Sequence, residues 1–382
     1  MKGILVGYLS NKNIGAWRAY KERAELARRR GISLVNLLID EENIQRISSG
    51  DNVFVRYWNG KSMEEKEIPC PSSFYDRTDV VSRPNSIENL LRLLEDNSCL
   101  FVNSPRFREL CIDKWKTYRL LEKNKIPQPK TSIYSEEAIE DFLRKFEFVF
   151  IKKRNSSQGK NQLVIKKSAS SYSLFSSDEE TNLLEKANFD FLIQKLRERK
   201  IGKDFIVQQG IDVDTIDGRV YDIRAIFQRG SQGKIGMTCF YVRVGPKNSQ
   251  QANISNGGHP QDPFVFFEDY EQVLRAVKKE GNKIIEATSK SFVVGEVGID
   301  FVFDKKGDIY TLELNSKPGS IGLRTLREWK PTEEDYHNKG IIPLEYNNEI
   351  RKTWGRNLER FLLNPLLYCK YLVETTGEKN ET

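Results

Sequence analysis

Gly298-Ile299-Asp300-Phe301-Val302-Phe303, Asp304-Lys305-Lys306-Gly307-Asp308 and Ile309-Tyr310-Thr311-Leu312-Glu313-Leu314-Asn315-Ser316-Lys317-Pro318-Gly319 run on without a break. Two segments rich in aromatic and β-branched residues flank a polar cluster with a glycine, which predicts a β-hairpin with a loop of about four residues. Side chains alone suggest its register. With Ile299 opposite Leu314, Phe301 opposite Leu312 and Phe303 opposite Tyr310, one side of the hairpin is wholly apolar, and a slip of one residue destroys the match. The same register sets Asp300 opposite Glu313, with Asn315 two residues further on the same side, because side chains alternate along a strand. Two carboxylates and an amide oxygen on adjacent strands suit a hard cation such as Mg²⁺, completed by phosphate oxygens and water. Taken by itself, the stretch reads more readily as the solvated polar face of a half-buried hairpin than as a metal site.

The 382 residues suffice for two or three domains, and 38% hydrophobic with 11% aromatic content is globular composition. The 61 basic and 54 acidic residues are interspersed, and the net charge of +7 is compatible with an anionic ligand such as a nucleotide. No RNA-binding aromatic motif, zinc-finger spacing or long basic arm supports a nucleic-acid partner. The five cysteines (Cys70, Cys99, Cys111, Cys239, Cys369) are scattered and only two histidines exist, His259 and His337, which argues against zinc and iron chemistry. An odd number of unclustered thiols suggests a reducing compartment. The apolar run near the N-terminus is too short for a signal-peptide core, and no segment approaches the roughly 20 apolar residues of a membrane span. A cytoplasmic protein with no membrane partner is expected.

Outward from the hairpin, the chain opens as a βαβ unit: a strand at Ile4 to Tyr8, a basic helix from Trp17 to Arg30 and a strand at Ile32 to Ile39. Gly7-Tyr8-Leu9-Ser10 lacks the glycine triplet of a dinucleotide fingerprint and reads as scaffold. A strand at Asp51 to Trp58, a helix from Ser86 to Asp96 and a strand at Leu100 to Val102 complete a small α/β domain without a catalytic constellation. Beyond Cys111 come a helix opened by Asp113, a helix from Ser135 to Lys145, and the strand Phe148 to Arg154, which ends in three cations. The loop Asn155 to Asn161, rich in Ser and edged with Lys, either folds backbone N–H groups over phosphate or is an ordinary turn. A helix is expected at Asp178 to Ala187, strands at Phe205 to Ile211, Asp222 to Phe227 and Met237 to Val244, and a long helix at Tyr270 to Ser289. Asn348 to Thr375 predicts a helix interrupted by Pro365, with a polar, frayed end.

The order of these pieces resembles the ATP-grasp superfamily, most closely the YheC/YheD-like branch first named among endospore coat-associated proteins. Asp113-Lys114-Trp115, Ile151-Lys152, Gln208-Gln209-Gly210-Ile211, Asp222-Ile223-Arg224, Asn256-Gly257-Gly258, Gly298-Ile299-Asp300 and Glu313-Leu314-Asn315-Ser316-Lys317-Pro318 carry the resemblance. It implies an α/β plus α+β architecture: an N-terminal α/β (pre-ATP-grasp) domain over 1–110, a small lobe with a phosphate loop over 111–205, a metal-bearing lobe over 206–365, and a tail over 366–382. Two lobes would grip ATP between them. By position, Lys114 and Lys152 would lie near the phosphates, Ser156, Ser157 and Gly159 would belong to the phosphate lid, and Gln208, Gln209, Gly210 and Ile211 would form the hinge that reads adenine. Asp300, Glu313 and Asn315 would bind Mg²⁺, and Arg224, with Lys152, would act on the transferred phosphate. Lys153 stands where many relatives have proline, and Gln208 where many have Glu.

The implied activity is ligation: ATP phosphorylates a small-molecule or peptide carboxylate, and an amine displaces phosphate from the acyl phosphate to give an amide. Phosphoryl transfer needs charge neutralisation and alignment more than a side-chain nucleophile, in keeping with the lack of a Ser/His/Asp or Cys/His set. The alternatives are a non-catalytic coat-associated or nucleotide-binding structural protein, and a phosphotransferase on the same fold.

Overall fold

A computed structural model of the chain describes residues 3–10, 17–78, 85–156, 162–169, 171–176, 182–247, 249, 251–328 and 348–380. Its first sheet comprises β1 (Ile4–Leu9), β2 (Ile32–Leu37), β3 (Val53–Trp58), β4 (Met63–Ile68), β5 (Ser73–Asp76) and β6 (Leu100–Phe101), in the order β4-β3-β2-β1-β5-β6. β1 runs parallel to β2 and β5, and β5 to β6. Strands buried on both faces read as apolar runs, and Val6, Tyr8 and Leu9 are all buried. Helix Glu41–Ser49 is capped by Asp40, which accepts from the Asn43 N–H, and ends at Gly50, whose φ of 76° suits glycine.

The second sheet runs through β7 (Thr131–Ile133), β8 (Phe148–Lys153), β9 (Leu163–Ser168), β10 (Ser171–Ser176), β11 (Asn182–Ala187) and β12 (Phe205–Gln209), in the order β11-β10-β9-β8-β12-β7. The expected helix at Asp178 to Ala187 is not formed where it is described: 182–187 is strand β11, with Leu174 opposite Leu184. Its charged start reads as helical locally, but sheet pairing overrides that propensity, and the helix begins at Phe189 behind the Asn188 cap. Residues 178–181 lie outside the described residues. β12 belongs wholly to this sheet, so a boundary between 205 and 206 would cut it.

The third sheet holds β13 (Thr215–Ile216), β14 (Arg219–Arg229), β15 (Ile235–Val244), β16 (His259–Gln261), β17 (Glu296–Phe303) and β18 (Ile309–Asn315), in the order β16-β15-β14-β17-β18, with β13 on β14. One face packs Ala225, Phe227, Ile299 and Phe301 against Val277 and Ile284 of helix Tyr270–Ser289. Ile299 faces Leu314, Asp300 faces Glu313 and Gly298 faces Asn315. The register then shifts, so Phe301 faces Thr311 and Phe303 faces Ile309, instead of Leu312 and Tyr310. Leu312 is the extra residue of a β-bulge, and it lines a cleft beside Glu313 instead of joining the apolar face.

Pro365 does not interrupt the C-terminal helix, which spans Asn348–Asn380. A proline cannot donate to the carbonyl four residues earlier, here Phe361, but the Gln228 Nε2 amide donates to that oxygen at 3.0 Å. The helix therefore continues, and residues assigned to a tail enter the core: Leu366, Tyr368 and Cys369 pack with Val6, Tyr8 and Tyr75 of the first sheet and with Tyr20 of helix Trp17–Arg28. No described helix is long and apolar enough to cross a membrane.

Candidate active site

A cleft of about 640 Å³ opens between the second and third sheets. The hairpin β17–β18 supplies Asp300, Leu312, Glu313 and Leu314 to its wall, β8 supplies Phe150 and Lys152, and β12 supplies Gln208 and Gln209. Alternation on β8 buries Val149 and Ile151 in the lobe's core and turns Phe150 and Lys152 to the cleft. Lys152 Nζ donates to Gln208 Oε1 at 2.7 Å, and Gln208 Nε2 donates to Thr131 Oγ1 at 3.1 Å. The Lys130 amide donates to Gln209 Oε1 at 3.1 Å, fastening the strand end where the chain passes between lobes. Ile211 lines the cleft, whereas Gly210 serves packing: a Cβ there would lie 2.1 Å from the Phe148 ring.

Lys114 enters from the start of helix Lys114–Lys123, where Asp113 accepts from the Trp115 and Lys116 amides and pairs with Arg154 at 2.7 Å. Its Nζ donates to the Ser156 carbonyl and to Ser156 Oγ at 3.2 Å, so Ser156 adjoins the cleft lysine. Ser157 and Gly159 lie outside the described residues. Burial, with Lys114 nearby, pushes the Lys152 pKa down to about 8, although Glu313 opposes the shift. Burial likewise lowers the Lys114 value, opposed by Glu313 and Asp113. Half-buried ammonium groups with so little opposite charge beside them favour an anionic ligand.

Below them lies a cluster of opposite charges. Arg224 donates through Nε and Nη2 to Asp300, the latter at 2.9 Å, and Arg243 reaches Asp300 at 3.0 Å. Arg243 also grips Asp222 through two bonds of 2.6 and 2.5 Å. A same-strand pair between Asp222 and Arg224 is therefore not formed; each pairs across the sheet. Burial raises the Asp222 carboxyl above its ordinary range, while at Asp300 burial is outweighed by Arg224 and Arg243, which hold it low. Arg224 and Asn315 do not line the cleft, whereas Arg243 does, together with Asn253 and Tyr221. Arg243 escaped the sequence reading. Its signal was a single cation near the end of an otherwise apolar strand, on the same side as Cys239 and Tyr241.

Among the described residues, no group of three His, Cys, Asp or Glu could hold a metal ion. The mixed set of Asp300, Glu313 and Asn315 nevertheless fits a magnesium ion in its donor chemistry. Glu313 lines the cleft, Asp300 sits opposite it across the hairpin, and Asn315 follows two residues beyond Glu313 on the same side of its strand. The Asp300 oxygens are shared with two guanidinium groups, yet Oδ1 accepts only from Arg224 and keeps a lone pair.

The family model "YheC/D like ATP-grasp" matches residues 103–350. Endospore coat-associated protein YheD of Bacillus subtilis (strain 168) is 26% identical over 275 residues, 67% of this chain and 58% of that protein. This chain thus spans less than two thirds of that relative's length. Coenzyme gamma-F420-2:alpha-L-glutamate ligase of Methanococcus maripaludis is 26% identical over 238 residues, covering 62% of this chain and 70% of the relative. Among solved structures, an ADP complex of N5-carboxyaminoimidazole ribonucleotide synthetase aligns with a TM-score of 0.54 at 12% identity, covering 91% of this chain and 80% of that one. D-alanyl-alanine synthetase A from Vibrio cholerae aligns with a TM-score of 0.51 at 12% identity, covering 95% and 100%. At such identities the structures show the fold: ATP-grasp.

Proposed function

Because the chain belongs to the YheC/D-like ATP-grasp family, we propose that it is an ATP-dependent carboxylate–amine ligase. The observation that carries this reading is the pair of half-buried lysines, Lys114 and Lys152, on one side of the cleft, with the Asp222–Arg243–Asp300–Arg224 cluster on the other. Lys152 and Lys114 hold the phosphates, and the backbone from Gln208 to Ile211 reads adenine. Ser156, Ser157 and Gly159 belong to the lid over the phosphates. A substrate carboxylate oxygen attacks the γ-phosphorus, the bond to the β–γ bridging oxygen breaks and ADP leaves. An amine nitrogen then attacks the acyl carbon, phosphate departs and the nitrogen loses a proton.

Arg243 spreads its charge toward the transferring phosphoryl group, and Arg224 positions Asp300 behind it. Asp300, Glu313 and Asn315 would hold magnesium, which when bound neutralises phosphate charge. The cytoplasm is the compartment this reading places it in. The name of the coat-associated relative favours a second reading, a nucleotide-binding coat protein without turnover. Phosphate release with Mg-ATP, screened over amino acids and short peptides with and without an added amine, tests both. Release that needs both acid and amine supports the ligase; ADP formed without amine indicates a phosphotransferase; ATP binding without release throughout indicates the coat protein.

A further inference from the structure

The scattered appearance of the cysteines does not survive folding. Parallel pairing of Ser73 with Leu100 draws together the segments that precede β5 and β6. The Leu100 amide donates to the Ser72 carbonyl at 2.8 Å, which fixes Cys99 beside Cys70-Pro71. Both thiols then converge on one acceptor, the Pro71 carbonyl, at 3.8 Å from Cys70 Sγ and 3.6 Å from Cys99 Sγ. Both are half-buried and pack on the edge of the cluster containing Phe74, Leu91 and Leu94, whereas Cys111, Cys239 and Cys369 are buried.

We propose that Cys70 and Cys99 form a reversible intramolecular disulfide by thiol–disulfide exchange with a low-molecular-weight disulfide. Both thiols are half-buried and rest on the same carbonyl, so either one, as its thiolate, serves as the nucleophile. That thiolate attacks one sulfur of the small disulfide and expels one small thiolate, giving a mixed disulfide. The other cysteine loses its proton to solvent, attacks the protein sulfur of the mixed disulfide and expels the second small thiolate. Two electrons pass from the protein thiols to the oxidant, and one protein S–S bond replaces the small molecule's. Burial pushes the Cys239 and Cys369 thiols up to about 12, which keeps them out of the exchange.

The bond would close at the N-terminal ends of β5 and β6. The opposite end of β5 meets the third sheet, where Lys317 pairs with Asp76 and Arg77 with Glu296. It therefore acts as a brace for the first domain remote from the cleft, constraining the unfolded chain between the two cysteines.

The test uses the full chain, incubated with oxidised glutathione without denaturant, alkylated, digested and mapped by mass spectrometry. The expected result is a Cys70–Cys99 cross-linked peptide that dithiothreitol removes, with Cys111, Cys239 and Cys369 alkylated only after denaturation. Cys70→Ser and Cys99→Ser should each abolish the cross-link and arrest the reaction as a glutathione adduct on the remaining thiol of the pair. Recovery of both cysteines as free thiols, or a lasting glutathione adduct on the unmutated chain without the cross-link, would overturn the proposal.

Discussion

Arg224 and Asp300 face each other across β14 and β17, and the guanidinium closes on the carboxylate with two hydrogen bonds. Asp300 is only 3% exposed and is shared with Arg243, so it is part of the lobe's buried framework as well as of its chemistry. Removing one partner of a buried ion pair costs about 3 to 5 kcal/mol, because the other charge is left uncompensated. Asp300→Asn should therefore lower the stability of the third-sheet lobe as well as abolish turnover, which denaturant melts followed in parallel with phosphate release would show. An unchanged melt would mean that Arg224 and Arg243 find other partners.

Glu313 differs from its neighbour across the hairpin. It lines the cleft and takes no part in the arginine cluster. Glu313→Gln should leave the melting curve in place while magnesium-dependent turnover is lost. A calorimetric titration of Mg-ATP into the variant separates lost binding from lost chemistry.

The low value of Lys152, about 8, sets a pH dependence. The protonated side chain binds phosphate, so ATP affinity should fall as pH rises through about 8, and binding should be accompanied by proton uptake there. The sign for stability is opposite: this half-buried lysine binds its proton more weakly folded than unfolded, so its charge costs stability at neutral pH. That cost is relieved between about 8 and the ordinary lysine value near 10.4. Titrations in buffers of different ionisation enthalpy would detect the proton uptake. Lys152→Arg should flatten the affinity profile.

Arg243 should reveal itself in rate more than in nucleotide binding. Charge placed for a transferring phosphoryl group acts chiefly in the transition state. Arg243→Lys, which loses the two-point grip on Asp222, should lower kcat by about one to three decades with a small change in KM for ATP. Equal losses in both would place the arginine on the bound nucleotide instead.

Gln228 and Pro365 form a compensating pair. Gln228→Leu strands the Phe361 carbonyl and should destabilise the protein by about 1 to 3 kcal/mol. Pro365→Ala restores the missing helical N–H, so in the Gln228→Leu background it should recover part of that loss. Additive losses in the double variant would show that the two positions are independent.

Much of the chain was decided by local chemistry. Alternation of apolar and polar residues carried the hairpin and the opposition of Asp300 to Glu313, while helical spacing carried Tyr270–Ser289. These signals have a period of a few residues, so a short window suffices to read them. Tertiary structure decided the rest, because the partners are remote in sequence. It selected strand over helix at Asn182–Ala187 and inserted the bulge that turns Leu312 into the cleft. It gave Asp300 a second arginine from β15, kept the last helix running through Pro365, and brought Cys70 to Cys99. Each of these depends on which buried group has a partner available across a sheet or domain boundary, and no local pattern specifies that.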